Sequence, residues 1–172
     1  MSKIMRGRDV IRGNMAKCYI TIGNETHLFM QAQEVTCEIE YDQKEVNALG
    51  STMKQFKNAM GTGSGSGTFT FNTSIFHKMA VKFKNDFINT YWTLEMHIND
   101  PDTPAGTLKF IARDCLCKKN LLAKLVSNAD ILEADLEFTF GDFDIPEDGY
   151  FTPLAGSIIG GGVPSGGFDG YF

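Results

Sequence analysis

The side chains with the richest chemistry fall into a few groups, and their spacing argues against catalysis in each. Cys115 and Cys117 are spaced C-x-C on a predicted strand, which projects both thiols to one face, but no second ligand pair stands at zinc-like spacing. Together with Cys18 and Cys37 they read as free reduced thiols, because no apolar segment follows the basic residues Lys3, Arg6, Arg8 and Arg12 to make a secretion signal. His27, His77 and His97 are scattered, with no H-x-x-x-H spacing, and read as surface histidines. Residues 61–67, Gly-Thr-Gly-Ser-Gly-Ser-Gly, lack the Lys-Ser/Thr of a phosphate-binding loop and do not open onto a helix. They read as a flexible connection, and Ser64 and Ser66 lack the strand-to-helix turn of a nucleophile elbow. Carboxylates recur at Glu34, Glu38 and Glu40 and again at Glu133, Asp135 and Glu137. A glycosidase-like acid pair is the sharp reading of such a set; carboxylate rows on a solvated strand face are the plainer one. The expectation is a protein that is not an enzyme and binds no metal or cofactor.

The elements that carry these residues follow from period-two alternation, the pattern of strands with one wet and one buried face. Val35, Cys37, Ile39 and Tyr41 alternate with polar residues, as do Trp92, Leu94, Met96 and Ile98, and Leu132, Ala134, Leu136, Phe138 and Phe140. Weaker strands are expected at 16–22, 26–31 and 107–117, and segments 44–49 and 53–60 are expected to pair with 68–72. One helix is legible, with Ser74 as N-cap and Ile75, Phe76, Met79, Ala80 and Phe83 on its apolar face. Antiparallel strands with one helix give a mainly β (α+β) fold, an antiparallel β-sandwich or partly closed barrel. The expected organisation is an N-terminal arm at 1–15, a β-domain at 16–147 and a flexible extension rich in Gly and aromatics at 148–172.

Composition bounds the function. The chain has 172 residues, enough for one domain with a core, and 42% are hydrophobic. A net charge of −5 offers no basic footprint for tight duplex binding. All 16 Lys and Arg lie at or before Lys124, whereas nine of the 21 Asp and Glu follow it, a polarity that suits head-to-tail contact between identical copies. No apolar run approaches the length of a membrane span, so no membrane anchor is expected.

Residues 43–50 (Gln-Lys-Glu-Val-Asn-Ala-Leu-Gly), 53–60, the Gly-rich run through Phe71, and 138–147 (Phe-Thr-Phe-Gly-Asp-Phe-Asp-Ile-Pro-Glu) give the sequence a family likeness. In order and spacing, from about Val10 to Glu147, the chain resembles the tail tube proteins of contractile phage tails, defective prophage particles and phage-tail-like bacteriocins of Gram-positive bacteria. The resemblance implies a sandwich with one helix, hexameric rings whose inner sheets join into a β-barrel around a lumen, and stacking of the rings into a tube for DNA passage or membrane puncture. Its implied partners are further copies of itself, a tail sheath protein, a tape-measure protein, baseplate and tail-completion proteins, and DNA in transit. Its implied location is a virion tail or tailocin particle, assembled in the bacterial host cytoplasm and released by lysis. Lumen-lining candidates are then Glu34, Glu38, Glu40, Glu133, Asp135 and Glu137, and ring-stacking candidates are Lys44, Met53, Lys54 and Lys57. The rival from another class is a soluble ligand- or carbohydrate-binding β-module that uses Tyr91 or the C-terminal aromatics as a platform.

Overall fold

A computed structural model describes residues 11–29, 32–47, 49–50, 52–103, 105–127 and 131–151. In chain order the elements are β1 (Ala16–Ile22), β2 (Glu25–Leu28), β3 (Ala32–Val46), β4 (Gln55–Thr70), α1 (Ile75–Asp86), β5 (Trp92–Asn99), β6 (Thr107–Asn120), β7 (Glu133–Phe140) and β8 (Asp142–Asp144). All strand pairs are antiparallel, and the hydrogen-bonded order is β2-β1-β5-β6-β7-β4-β3, with β8 also on β6. The mainly β expectation with a single helix holds.

Strand β6 belongs to two sheets. Its first part, to Cys115, pairs with β5, and its last part, from Leu116 to Asn120, pairs with β7. A bulge marks the handover, because Leu94 faces Ala112 and Trp92 faces Cys115, so one extra residue enters β6. Asp114 takes up the kink at φ 54°, a conformation open to Asp at modest cost. The bulge turns Ala112 and Cys115 to the same side, where both are fully buried.

Between the sheets lies an aromatic core. Trp92 and Phe138 rings are 4.9 Å apart, Phe69 and Phe76 5.4 Å, and Phe76 and Trp92 6.0 Å, spacings at which tilted and edge-on aromatic pairs attract. Phe76 is the residue that ties α1 into this core. The helix starts after Ser74, but Ser74 makes no side-chain cap; the Thr73 hydroxyl instead accepts a long 3.5 Å bond from the Ile75 N–H. Phe83, expected on the packed face, is 50% exposed, because the apolar face of α1 is wider than the sheet beneath it.

The largest difference from expectation lies at residues 61–67. They are not a flexible connection but the middle of β4, which pairs with β3 on one side and β7 on the other. Registration explains the glycines: Gly63 stands opposite Phe140 and Gly65 opposite Phe138, and both rings lie over the missing side chains. Segments 44–49 and 53–60 therefore do not pair with 68–72: Lys44, Glu45 and Val46 pair with Lys57, Phe56 and Gln55, while Thr68 and Phe69 pair with Glu34 and Ala32 of β3 and, with Thr70, with Asp135, Ala134 and Glu133 of β7.

At the N-terminal edge, Asp100 closes a charged clamp. Its carboxylate accepts bonds of 3.0 Å from the Arg12 backbone N–H, Nε and Nη2, with the Asp100 side chain 1% exposed. Those bonds from Arg12 hold the Asp100 carboxyl well below the usual carboxylate range. Residue 12 is thus tied to the body although it falls within the expected N-terminal arm.

Candidate functional site

The six carboxylates singled out in the sequence share one sheet face. Registration places Glu34 beside Thr68 and Asp135, Thr36 beside Ser66 and Glu137, and Glu38 beside Ser64 and Thr139. Glu40 faces Thr62 at one end and Glu133 faces Thr70 at the other. Since directly paired residues project to the same side, the β3-β4-β7 sheet has one face made of two carboxylate rows flanking a hydroxyl ladder. The opposite face carries Val35, Leu136, Phe138 and Phe140 into the core. The hydroxyl ladder was hidden in the sequence by the reading of 61–67 as a loop; the signal for it was strict alternation of Gly with Ser or Thr.

Few of these carboxylates are neutralised within the chain. Asp135 accepts a bond from Thr68 Oγ1 at 3.1 Å, and Glu137 accepts one from Lys119 Nζ at 3.2 Å. Nearby, Lys124 Nζ donates to the Glu133 backbone carbonyl at 2.9 Å, and Lys118 lines a shallow groove on this face with Glu38, Ser64, Ser66 and Glu137.

Ring-stacking candidates sit elsewhere, on an arm. Strand β7 covers β4 only from Gly63 onward, so residues 40–46 and 55–62 continue as a two-stranded ribbon with no third strand among the described residues. Such a ribbon is marginal in water by itself. Its tip and flanks expose apolar groups: Leu49 fully, Met53, Phe56 and Met60 by 60–75%. Lys44 and Lys57 lie directly opposite each other, a like-charge pairing that destabilises the ribbon unless an anion joins it. Lys54, by contrast, is bonded within the arm to Glu45 at 3.0 Å.

Burial pushes the thiols of Cys18, Cys37 and Cys115 up to about 12, so they are protonated and poor nucleophiles at neutral pH. Two histidines are less exposed than the sequence suggested. His77 Nε2 pairs with the Leu122 carbonyl at 2.8 Å, and His97 Nε2 with Glu95 Oε1 at 2.6 Å. Among the described residues no three His, Cys, Asp or Glu are grouped to hold a metal ion.

Both edges of the polar sheet are open. Among the described residues β3 pairs only with β4, and nothing pairs with Leu116–Asn120 on the side of β6 away from β7. A sheet edge without a partner presents a row of free N–H and C=O groups that can pair with another strand. Comparisons with known proteins place the chain in a family. The chain is 29% identical over 131 residues to the phage-like element PBSX protein XkdM of Bacillus subtilis, covering 73% of this chain and 89% of the relative, and equally similar to the Bacillus subtilis protein YqbM. Its fold matches a chain of the anti-feeding prophage tube-terminating cap (TM-score 0.60, 8% identity, 84% of this chain and 96% of the other). It also matches the SPP1 tail tube (TM-score 0.56, 9% identity, 79% and 78%). The family model described as phage tail tube protein matches residues 3–147, and the chain belongs to that family.

Proposed function

We propose that this tail tube subunit forms hexameric rings that stack into a tube, with the Glu34–Thr68–Asp135 face turned to the lumen. The observation that carries the proposal is the polar sheet itself: across β3, β4 and β7 the face carries carboxylates and hydroxyls with no large apolar side chain, Leu116 of β6 lies at its margin, and among the described residues both outer edges are unpaired. Joining edge to edge removes the bare N–H and C=O rows and closes the sheet into a barrel. Four strands alternate in direction across β3-β4-β7-β6, so a second copy brings its β3 alongside β6 antiparallel, and every seam repeats the same geometry. A lumen lined by carboxylates and hydroxyls repels a phosphate backbone at short range and gives passing DNA nothing to grip. The role is structural and not catalytic, with a sheath around the tube and tape-measure, baseplate and tail-completion proteins as further partners.

The test is electron microscopy of the purified protein followed by a tube reconstruction. Six-fold rings with Glu34, Glu38 and Asp135 on the inner wall are expected. A monomer at all concentrations refutes the reading, and a tube with these carboxylates on its outer wall refutes the lumen assignment.

A further inference from the structure

Helix α1 overhangs the edge of its own sheet. Of its apolar face only Phe76 is buried; Met79 and Ala80 are half-buried, and Phe83 is 50% exposed. Between this overhang and the last part of β6 runs an open groove of about 430 Å³, lined by Phe76, Met79, Ala80 and Phe83 and by Cys117 and Asn120, the β6 residues paired with Phe138 and Leu136 of the core. The groove lies beside the bare edge of β6, on the core side of the sheet.

We propose that this groove is the socket for the β3 edge of a second copy, with Ile39 and Tyr41 as the inserted side chains. The inference rests on the barrel reading above and adds the residues that make the seam. Three observations select this occupant. Ile39 and Tyr41 lie on the core-side face of β3, next to Gly63 and Gly61, which offer them no side-chain cover, and they are 37% and 49% exposed. A strand laid antiparallel against Leu116–Asn120 continues the sheet, so its core-side residues fall beneath the overhanging helix. Charge matches on the other face: β3 carries Glu34, Glu38 and Glu40 without a basic residue among them, whereas the β6 edge carries Lys118 and Lys119. Opposite charges directly across a strand pair stabilise it, and like charges there oppose it, so β3 on β6 is favoured over β3 on β3. Helix α1 then acts as a lid over each seam, half of its apolar face serving its own subunit and half the next.

The test uses the full chain in assembled tubes, with the photocrosslinking residue p-benzoylphenylalanine replacing Tyr41. Irradiation is expected to give dimers and higher ladders, and mass spectrometry to place the crosslinks in residues 76–83 or 116–120 of the partner copy. Rings with crosslinks elsewhere overturn the socket and leave the tube reading intact; a chain that stays monomeric at all concentrations in unmodified form overturns both. A second measurement does not depend on the probe. Because Tyr41 and Phe83 are half-exposed, Tyr41→Ala and Phe83→Ala should leave the thermal midpoint of the subunit unchanged and raise the concentration needed for assembly by about ten-fold each. The double variant should be no worse than about ten-fold, since both remove the same contact. A double variant that shows the product of the two defects, or single variants that assemble normally, overturns the pairing.

Discussion

Replacing Gly65 by Ala isolates the reason for the glycine ladder in β4. In most strands the change stabilises, because glycine costs about 0.5–1 kcal/mol relative to alanine through lost backbone freedom. Here a Cβ on Gly65 would sit 2.5 Å from Cε2 of Phe138 and closer still to Cζ, well inside contact distance. The ring has no free space to move into, because it is 2% exposed and its other side meets Trp92 at 4.9 Å. Inserting a methyl group into such packing costs about 1–3 kcal/mol. Set against the entropic gain, a net loss of about 1–2 kcal/mol is expected, with Gly63→Ala similar because of Phe140. Gly61→Ala is the internal control: its Cβ would meet the free end of Ile39 at 3.0 Å, a group that can turn aside, so its stability should stay within about 0.5 kcal/mol of the parent. Urea unfolding of the dilute subunit followed by Trp92 fluorescence reads the difference, and with slopes of about 1–3 kcal/mol/M the Gly65→Ala midpoint should fall by roughly 0.5–1 M. A Gly65→Ala midpoint at or above that of the parent would refute the packing account and leave the glycines as a matter of flexibility.

Two further outcomes follow. Substituting Leu49 and Phe56 by Ser on the arm should change subunit melting little but shorten tubes, since Leu49 is fully and Phe56 largely exposed in a single copy; tubes of normal length by electron microscopy would remove the arm from ring stacking. Asp100 has a folded pKa below its unfolded value of about 3.9, so its contribution is fully present above the unfolded value and is lost as pH falls from there through the folded one. The stability gap between the parent and Asp100→Asn should therefore be constant above about pH 5 and shrink below about pH 4; a gap that does not change with pH would show that the Arg12 clamp is not what the carboxylate supplies.

The strands that alternate cleanly were legible because their information is local. Trp92 and Leu94, or Ala134 through Phe140, show both period and burial in a single stretch of chain. Strand β4 was not legible, because a glycine chosen to admit a phenylalanine from 75 or so positions later looks the same as a glycine chosen for freedom. The same holds for Phe83. Its position on the apolar stripe of α1 was clear, but how much of that stripe the body covers is set by tertiary packing, which buries Phe76 alone. Sequence alternation did bring the six carboxylates to strand faces; that they share one face needed the register of β3, β4 and β7. The extension at 148–172 lies almost wholly outside the described residues, where only its composition speaks.

The double membership of β6 has a mechanical side. Two stacked sheets held only by side-chain packing can creep past one another under load, since each contact is individually weak and easily replaced. Here one unbroken backbone runs through both layers, and the kink at Asp114 acts as a rivet between them. A force that draws one layer lengthwise is passed along covalent bonds into the other, so the subunit resists shear as a single body.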